Sequence, residues 1–238
     1  MSSWADLRQV VFASTDPVGD GRMFRERLGL GAGFGDPELA EHGLTDDTMA
    51  VGPATFLEIV SPTTADHPLA GWLAKRDGAG GYLLSIQVSD IDACLRRCAE
   101  HGARVTLTHI VQGHTIAQLH PSDMGMAVEL DGISQRGVWF WDGLDVDRPE
   151  RARIDDVIAV DVATADPERL MGLWASILDI GDDEADDANH ALALGHRRIN
   201  FIAAEGGKRG LAAVDVHATD RADAGADIEL CNVAIRMV

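Results

Sequence analysis

Three cysteines in 238 residues are too few, and odd in number, for a disulfide framework. Cys94 and Cys98 lie four apart, in register with Ile91 and Leu95. That is the apolar face of a helix, so core packing accounts for them. Cys231 has no partner pattern. No apolar run reaches the ~18 residues of a membrane helix. The N-terminal MSSWADLRQ lacks the basic start and apolar stretch of a secretory signal, which predicts a cytoplasmic protein. Basic residues are also scarce: 20 Lys and Arg against 39 Asp and Glu leave a net charge of −19. That balance argues against nucleic acid and anionic membrane as partners, and leaves solubility or a cationic ligand as its explanations. Part of the excess is one run, GDDEADDAN at 181–189, which reads as a solvated loop. The Gly-rich LGLGAGFGDP at 28–37 follows a helix and has no Lys-Ser/Thr, which excludes a nucleotide phosphate loop; it could still move over the mouth of a site.

What the chain does have is repetition and apolar content. Hydrophobic residues make up 46% of it, enough for one large domain or two compact ones. LRQVVFASTDP at 7–17, GYLLSIQVSD at 81–90, VIAVDVATADP at 157–167 and LAAVDVHATD at 211–220 are four alternating strands, each running into a punctuating Asp. Asp16-Pro17 predicts a helix to about Leu28, stopped by Gly29. Strands near 47–51 and 54–60 follow. Asp90 predicts a helix over 91–101 ending at Gly102, then strands near 104–109, 114–119 and 126–131. Asp166-Pro167 opens a helix to about Leu178 with a stripe of Leu170, Leu173, Trp174, Ile177 and Leu178; strands at 190–194 and 198–203 come next. The fourth copy lacks a convincing helix and closes with strands near 226–230 and 232–237. Residues 134–153 break the pattern and read as a connector, with Trp139, Phe140 and Trp141 either packing it or forming a lid.

This order resembles the vicinal oxygen chelate superfamily, which includes glyoxalase I, methylmalonyl-CoA epimerase and bleomycin-sequestering proteins. LRQVVFASTDP, GRMFRERLGLG, ATFLEIVSP and LHPSDMGMAVELDG carry the likeness. The resemblance implies an α+β fold of tandem βαβββ modules forming two curved-sheet cups, the last module trimmed. It implies a first glyoxalase-like domain at 1–133, a connector at 134–153 and a degenerate second domain at 154–238.

The family places metal ligands on the first and last strand of each module. In the first cup those places hold Gln9, Glu58, Leu83 and Glu129, so three oxygen donors remain and Leu83 stands where a His is usual. The resemblance implies a divalent cation on Gln9, Glu58 and Glu129, with Mg, Mn or Ca favoured over Zn by an all-oxygen site. A metal-free cup is an equal alternative, since two facing carboxylates can also be neutralised by a proton, an Arg or a cationic ligand. With a metal, the implied chemistry is isomerisation, epimerisation or a lyase reaction through an enediolate-type oxyanion. Glu129 or Glu58 would shuttle the proton, and Leu83, Ser85, Gln87 and Leu119 would line the substrate. The competing readings are a protein that sequesters a small molecule, and a structural or interaction role with closed cups. A small-molecule ligand and a monomer or homodimer are expected in either case. If Ala117 lies opposite Glu129, then Thr115 and Leu119 share its face, while His114 and His120 point away; His109 joins them as a loop or surface residue. In the second cup the four places hold Ala159, Asn200, Ala213 and Arg236, which cannot chelate a cation. Asp161 and Asp215 would face Arg236 there as a buried cluster. An anion pocket using Arg236, Asn200 and His217 is the minority reading.

Overall fold

The computed structural model describes residues 3–181 and 183–238; Met1, Ser2 and Asp182, which belong to the N-terminal stretch and the acidic run, lie outside them. The first alternating stretch forms β1 (Ala5–Ser14). The Asp16 carboxylate then accepts the Gly19 N–H at 3.0 Å and caps α1 (Pro17–Leu28). Gly29 ends that helix at φ 66°, where a Cβ would stand 2.8 Å from the Arg153 backbone nitrogen. Next come α2 (Pro37–Glu41), β2 (Leu44–Val51), β3 (Thr55–Pro62), α3 (Pro68–Leu73) and β4 (Ala79–Val88). Asp90 caps α4 (Ile91–His101) and Gly102 closes it. β5 (Val105–Val111), β6 (His114–Leu119), α5 (Pro121–Met124) and β7 (Ala127–Asp131) follow. Beyond the connector lie β8 (Ile154–Thr164), α6 (Pro167–Leu178), β9 (Ala185–Asp186), β10 (Ala191–Leu194) and β11 (Arg197–Ala203). β12 (Gly210–Ala218), β13 (Asp227–Leu230) and β14 (Val233–Met237) end the chain without a further α-helix.

The protein is α+β, with two seven-stranded curved sheets in the orders β2-β3-β1-β4-β7-β6-β5 and β13-β14-β12-β8-β11-β10-β9. In each of the four strand groups the first strand pairs in parallel with the last: β1 with β3, β4 with β7, β8 with β11 and β12 with β14. The helices α2, α3 and α5 were not expected. Each is one turn or little more, opens with Pro, and is capped by Asp36, His67 or His120. A fragment that short carries too few apolar positions to show a helical period. β9 likewise falls inside the acidic run read as a loop. On α6 the buried side is Leu170, Met171, Trp174, Ile177 and Leu178, with Leu173 only half-buried.

By contacts the chain forms two compact units. One comprises Met1–Arg8, Leu83–Leu144 and Ile158–Ala212; the other comprises Gln9–Tyr82, Asp145–Val157 and Ala213–Val238. In the first, α4 packs on α6, and Arg97 Nε donates to the Ile177 carbonyl at 2.8 Å. Trp174, fully buried, meets Phe201 edge-on at 5.4 Å and donates its indole N–H to the Met124 carbonyl. In the second, Phe12 and Phe24 meet edge-on at 4.9 Å beneath α1, and Asn232 Nδ2 donates to the carbonyls of Arg76 and Ala79.

Candidate functional site

The second unit holds Gln9 and Glu58, each 6% exposed. Parallel pairing of β1 with β3 sets Val11 beside Glu58, so Gln9, two residues earlier, lies on the same face. Its Nε2 donates to Glu58 Oε2 at 2.7 Å. Thr48 of β2 is directly opposite Glu58, and Asp46 precedes it on that face. Asp46 accepts the Asp36 N–H on both oxygens and the Thr48 hydroxyl on one. Burial pushes its carboxyl up to about 6, against the lowering effect of those bonds.

The first unit holds the other expected residues. β4 and β7 pair so that Ser85 adjoins Glu129 and Gln87 adjoins Asp131, one polar row on one face. Ser85 Oγ donates to Asp131 Oδ2 at 2.6 Å, and Gln87 Nε2 donates to the carbonyls of Ile133 and Gln135. Both side chains were expected to face a substrate, and both are fully buried in bonds to the protein. Leu83 adjoins Ala127, and its hydrocarbon side chain offers no donor.

The β6–β7 register differs from the expectation by one residue. Gln118, not Ala117, lies opposite Glu129 and donates to it through Nε2 at 2.9 Å. Leu119 pairs with Val128 instead, which turns it and Thr115 away from the face of Glu129. Ile116 and Gln118 take their place. His114, in step with them, stands 6.0 Å from the Phe140 ring, and His120 Nδ1 accepts the Ser122 N–H as the cap of α5. His109 lies opposite Ile116 in β5, and Ile116 lies opposite Asp131.

Three polar residues escaped the sequence reading: Asp46, Gln118 and Asp131. Asp131 is 1% exposed, and desolvation, reinforced by the neighbouring Glu129 charge, raises its pKa well above the usual carboxylate range. All three obey the same alternation as their neighbours. Only the pairing partners distinguish them.

Gln9, Glu58 and Glu129 are oxygen donors suited to a hard cation. Gln9 and Glu58 are already oriented toward each other by their shared bond. Among the described residues no group of three or more His, Cys, Asp or Glu gathers as a metal site, and an amide donor such as Gln9 falls outside that set of residue types. On the other sheet, Asn200 Nδ2 donates to Asp161 at 2.8 Å in the first unit. Arg236 Nε donates to Asp215 at 2.5 Å in the second, where His217 Nδ1 also lies 2.6 Å from Asp155. Within the first unit an open pocket of about 250 Å³ is lined by Ser122, Asp123, Asp166, Arg169 and Arg209. The Asp166 carboxylate there is already used in capping α6.

No family model matches the chain. The ethylmalonyl-CoA/methylmalonyl-CoA epimerase of Cereibacter sphaeroides is 31% identical over 132 residues, which are 53% of this chain and 97% of that protein. The chain belongs to the vicinal oxygen chelate superfamily, the glyoxalase-like class that holds such epimerases. Within that class, its matched relatives are methylmalonyl-CoA epimerases. The mitochondrial enzyme of Bos taurus is 33% identical over 107 residues, 43% of this chain and 61% of that protein. The crystal structure of methylmalonyl-CoA epimerase from Mycobacterium tuberculosis has 27% identity and a TM-score of 0.47, covering 53% of this chain and 86% of that one. About half of the chain lies outside each of these matches.

Proposed function

We propose that this protein is an isomerase of the epimerase type, acting on a small acyl substrate that carries an acidic C–H next to a carbonyl. The observation that carries the reading is the 31% identity to an ethylmalonyl-CoA/methylmalonyl-CoA epimerase across 97% of that protein's length. The relationship to epimerases also weighs against a metal-free sequestering role. Glu129 is the proposed proton carrier. It is half-buried and oriented by the Gln118 amide, which donates a hydrogen bond without bringing a cation to cancel its charge. Glu58 is the second proposed carboxylate, oriented in the same way by Gln9. Gln9 and Glu58, on paired strands of one unit, are the proposed holders of a divalent cation, Mg, Mn or Ca before Zn. Such a cation would supply Lewis-acid stabilisation of the oxyanion that develops as the proton leaves.

The test is proton exchange. Methylmalonyl-CoA incubated with the protein in D2O, with Mg or Mn added, should take up deuterium at C2 faster than in buffer, as read by mass spectrometry. Glu129→Gln should slow this about 10²–10⁴-fold, the usual contribution of a general acid–base group. Exchange at the buffer rate with every metal tried would refute the epimerase reading.

A further inference from the structure

Each of the two described sheets has two outer strands, and an outer strand presents unpaired N–H and C=O groups on which another strand can form. Three of these edges are guarded. β2 carries Asp46 and Asp47, and the backbone of Phe34 exchanges hydrogen bonds with Thr48 at 2.8 and 3.0 Å along part of its length. β13, Asp-Ile-Glu-Leu, alternates carboxylates with apolar residues. β9 is two residues long and ends in Asp186. β5 has none of these guards. Its sequence VTLTHIV holds no acid, lysine, arginine, proline or glycine. The charge that precedes it, Arg104, is bound to both oxygens of Asp123 at 2.8 and 2.9 Å.

The backbone of β5 is set out for pairing. The Thr115 carbonyl in β6 accepts the N–H of Gly132, just after β7, at 2.9 Å, so Thr115 turns its backbone groups away from its β5 partner Ile110. In an antiparallel ladder both members of such a pair point outward. Ile110, and Thr108 two residues before it, therefore aim N–H and C=O at the open edge. The register shift between Val105 and Leu107 confines the regular ladder to Leu107–Val111, whose centre is His109. Ile110 is 73% exposed and Leu107 38%, on opposite faces of the strand.

We propose that β5 is the edge through which two copies of this chain join, β5 against β5, antiparallel about a twofold axis at His109. Thr108 of one chain then faces Ile110 of the other, and each such pair exchanges both of its N–H···O=C bonds. The same register sets Leu107 beside Val111 of the second copy on the opposite face, so both exposed apolar side chains gain a cross-strand neighbour. A second copy is the partner that the charges select. The chain carries a net charge of −19, and contact through either longer acidic edge, β2 or β13, would set carboxylate against carboxylate. β5 meets its copy without an acidic pair, and such a self-complementary contact closes at two chains. Its neutrality gives a charged foreign peptide nothing to pair with. The paired segment is short, so monomer and dimer exchange with concentration. The pairing stands whether or not the protein turns over a thioester.

Sedimentation of the full-length protein over a concentration series to about 0.5 mM reads the mass. The pairing predicts a rise from the 25.5 kDa chain mass toward twice that value. It predicts loss of the dimer in Ile110→Lys, which places a charge on the edge, and its retention in Val18→Lys, a comparably exposed apolar site on α1. A monomer throughout, growth beyond two copies, a dimer undiminished in folded Ile110→Lys, or one lost equally in Val18→Lys would overturn it. If circular dichroism shows Ile110→Lys misfolded, amide exchange in the wild type decides. Exchange of the Thr108 and Ile110 N–H groups that slows as protein concentration rises supports the pairing, and exchange independent of concentration overturns it.

Discussion

Asp46 shows how one side chain sets a pH dependence. Its carboxyl titrates at about 6 in the folded protein because burial disfavours the charge more than the Asp36 and Thr48 bonds favour it. An aspartate in the unfolded chain titrates at its ordinary 3.8, so between about pH 4 and 6 the folded state holds a proton that the unfolded chain has released. Stability is therefore greatest at the acid end of this window and falls as pH rises through it. After discounting for partial exposure, the loss is about 1–2 kcal/mol. Asp46→Asn keeps an acceptor without the charge. Urea titrations at about pH 4.5 and 7.5 should show wild type losing that increment relative to the variant. An identical pH response in both proteins would remove Asp46 as its source. Asp46 was not legible in the sequence because nothing in TDDTMAV separates it from its solvated neighbour Thr45. Its burial follows from the face it shares with Glu58, a matter of β2–β3 pairing. Gln9 and Glu58 were singled out because a resemblance, rather than chemistry, marked their places, and the structure joins them by a hydrogen bond of 2.7 Å.

At the scale of elements, punctuation was easier to read than pairing. Asp16, Asp90 and Asp166 each accept a backbone N–H three residues on, as Asp at a strand-to-helix junction leads one to expect. Asp90→Ala should cost about 1 kcal/mol in chemical denaturation by freeing the Ala93 N–H. The β6–β7 register was misread by one residue because alternation fixes which residues share a face of a strand, but not which residue stands opposite in the partner. That step brings Gln118 to Glu129 and removes Leu119 from the proposed substrate face. A register shift between Val105 and Leu107 in β5 adds an irregularity that no local sequence pattern announces. Interlocking of elements is what makes Trp174 sensitive. Trp174→Phe deletes the bond to the Met124 carbonyl and should cost about 1–3 kcal/mol. Trp174→Ala adds a cavity beside Phe201 and should cost about 3–5 kcal/mol, read from urea midpoints.

For the whole molecule, the four strand openings set the architecture, and the expected boundary after residue 133 makes its own prediction about autonomy. The compact units cut the chain differently, since Leu83–Leu144 groups with Ile158–Ala212. Within that unit α4 rests on α6, Arg97 Nε bonds the Ile177 carbonyl, and the Met124 carbonyl takes the Trp174 N–H. At Gly125, φ is 81° and a Cβ would stand 2.7 Å from Leu170 Cδ2, so the two segments meet without spare volume. A fragment ending at residue 133 would expose the α4 surface to water, leave the Met124 carbonyl without its donor, and drop Trp139 from above Arg8. It would do so while carrying the Gln9, Glu58 and Glu129 set intact. Loss of that packing should leave a collapsed state that binds ANS and has weak near-UV dichroism, in contrast to the full chain. If the fragment instead unfolds cooperatively in urea with a slope fitting its length, residues 1–133 are an autonomous domain, and the α4–α6 packing joins two bodies that fold separately.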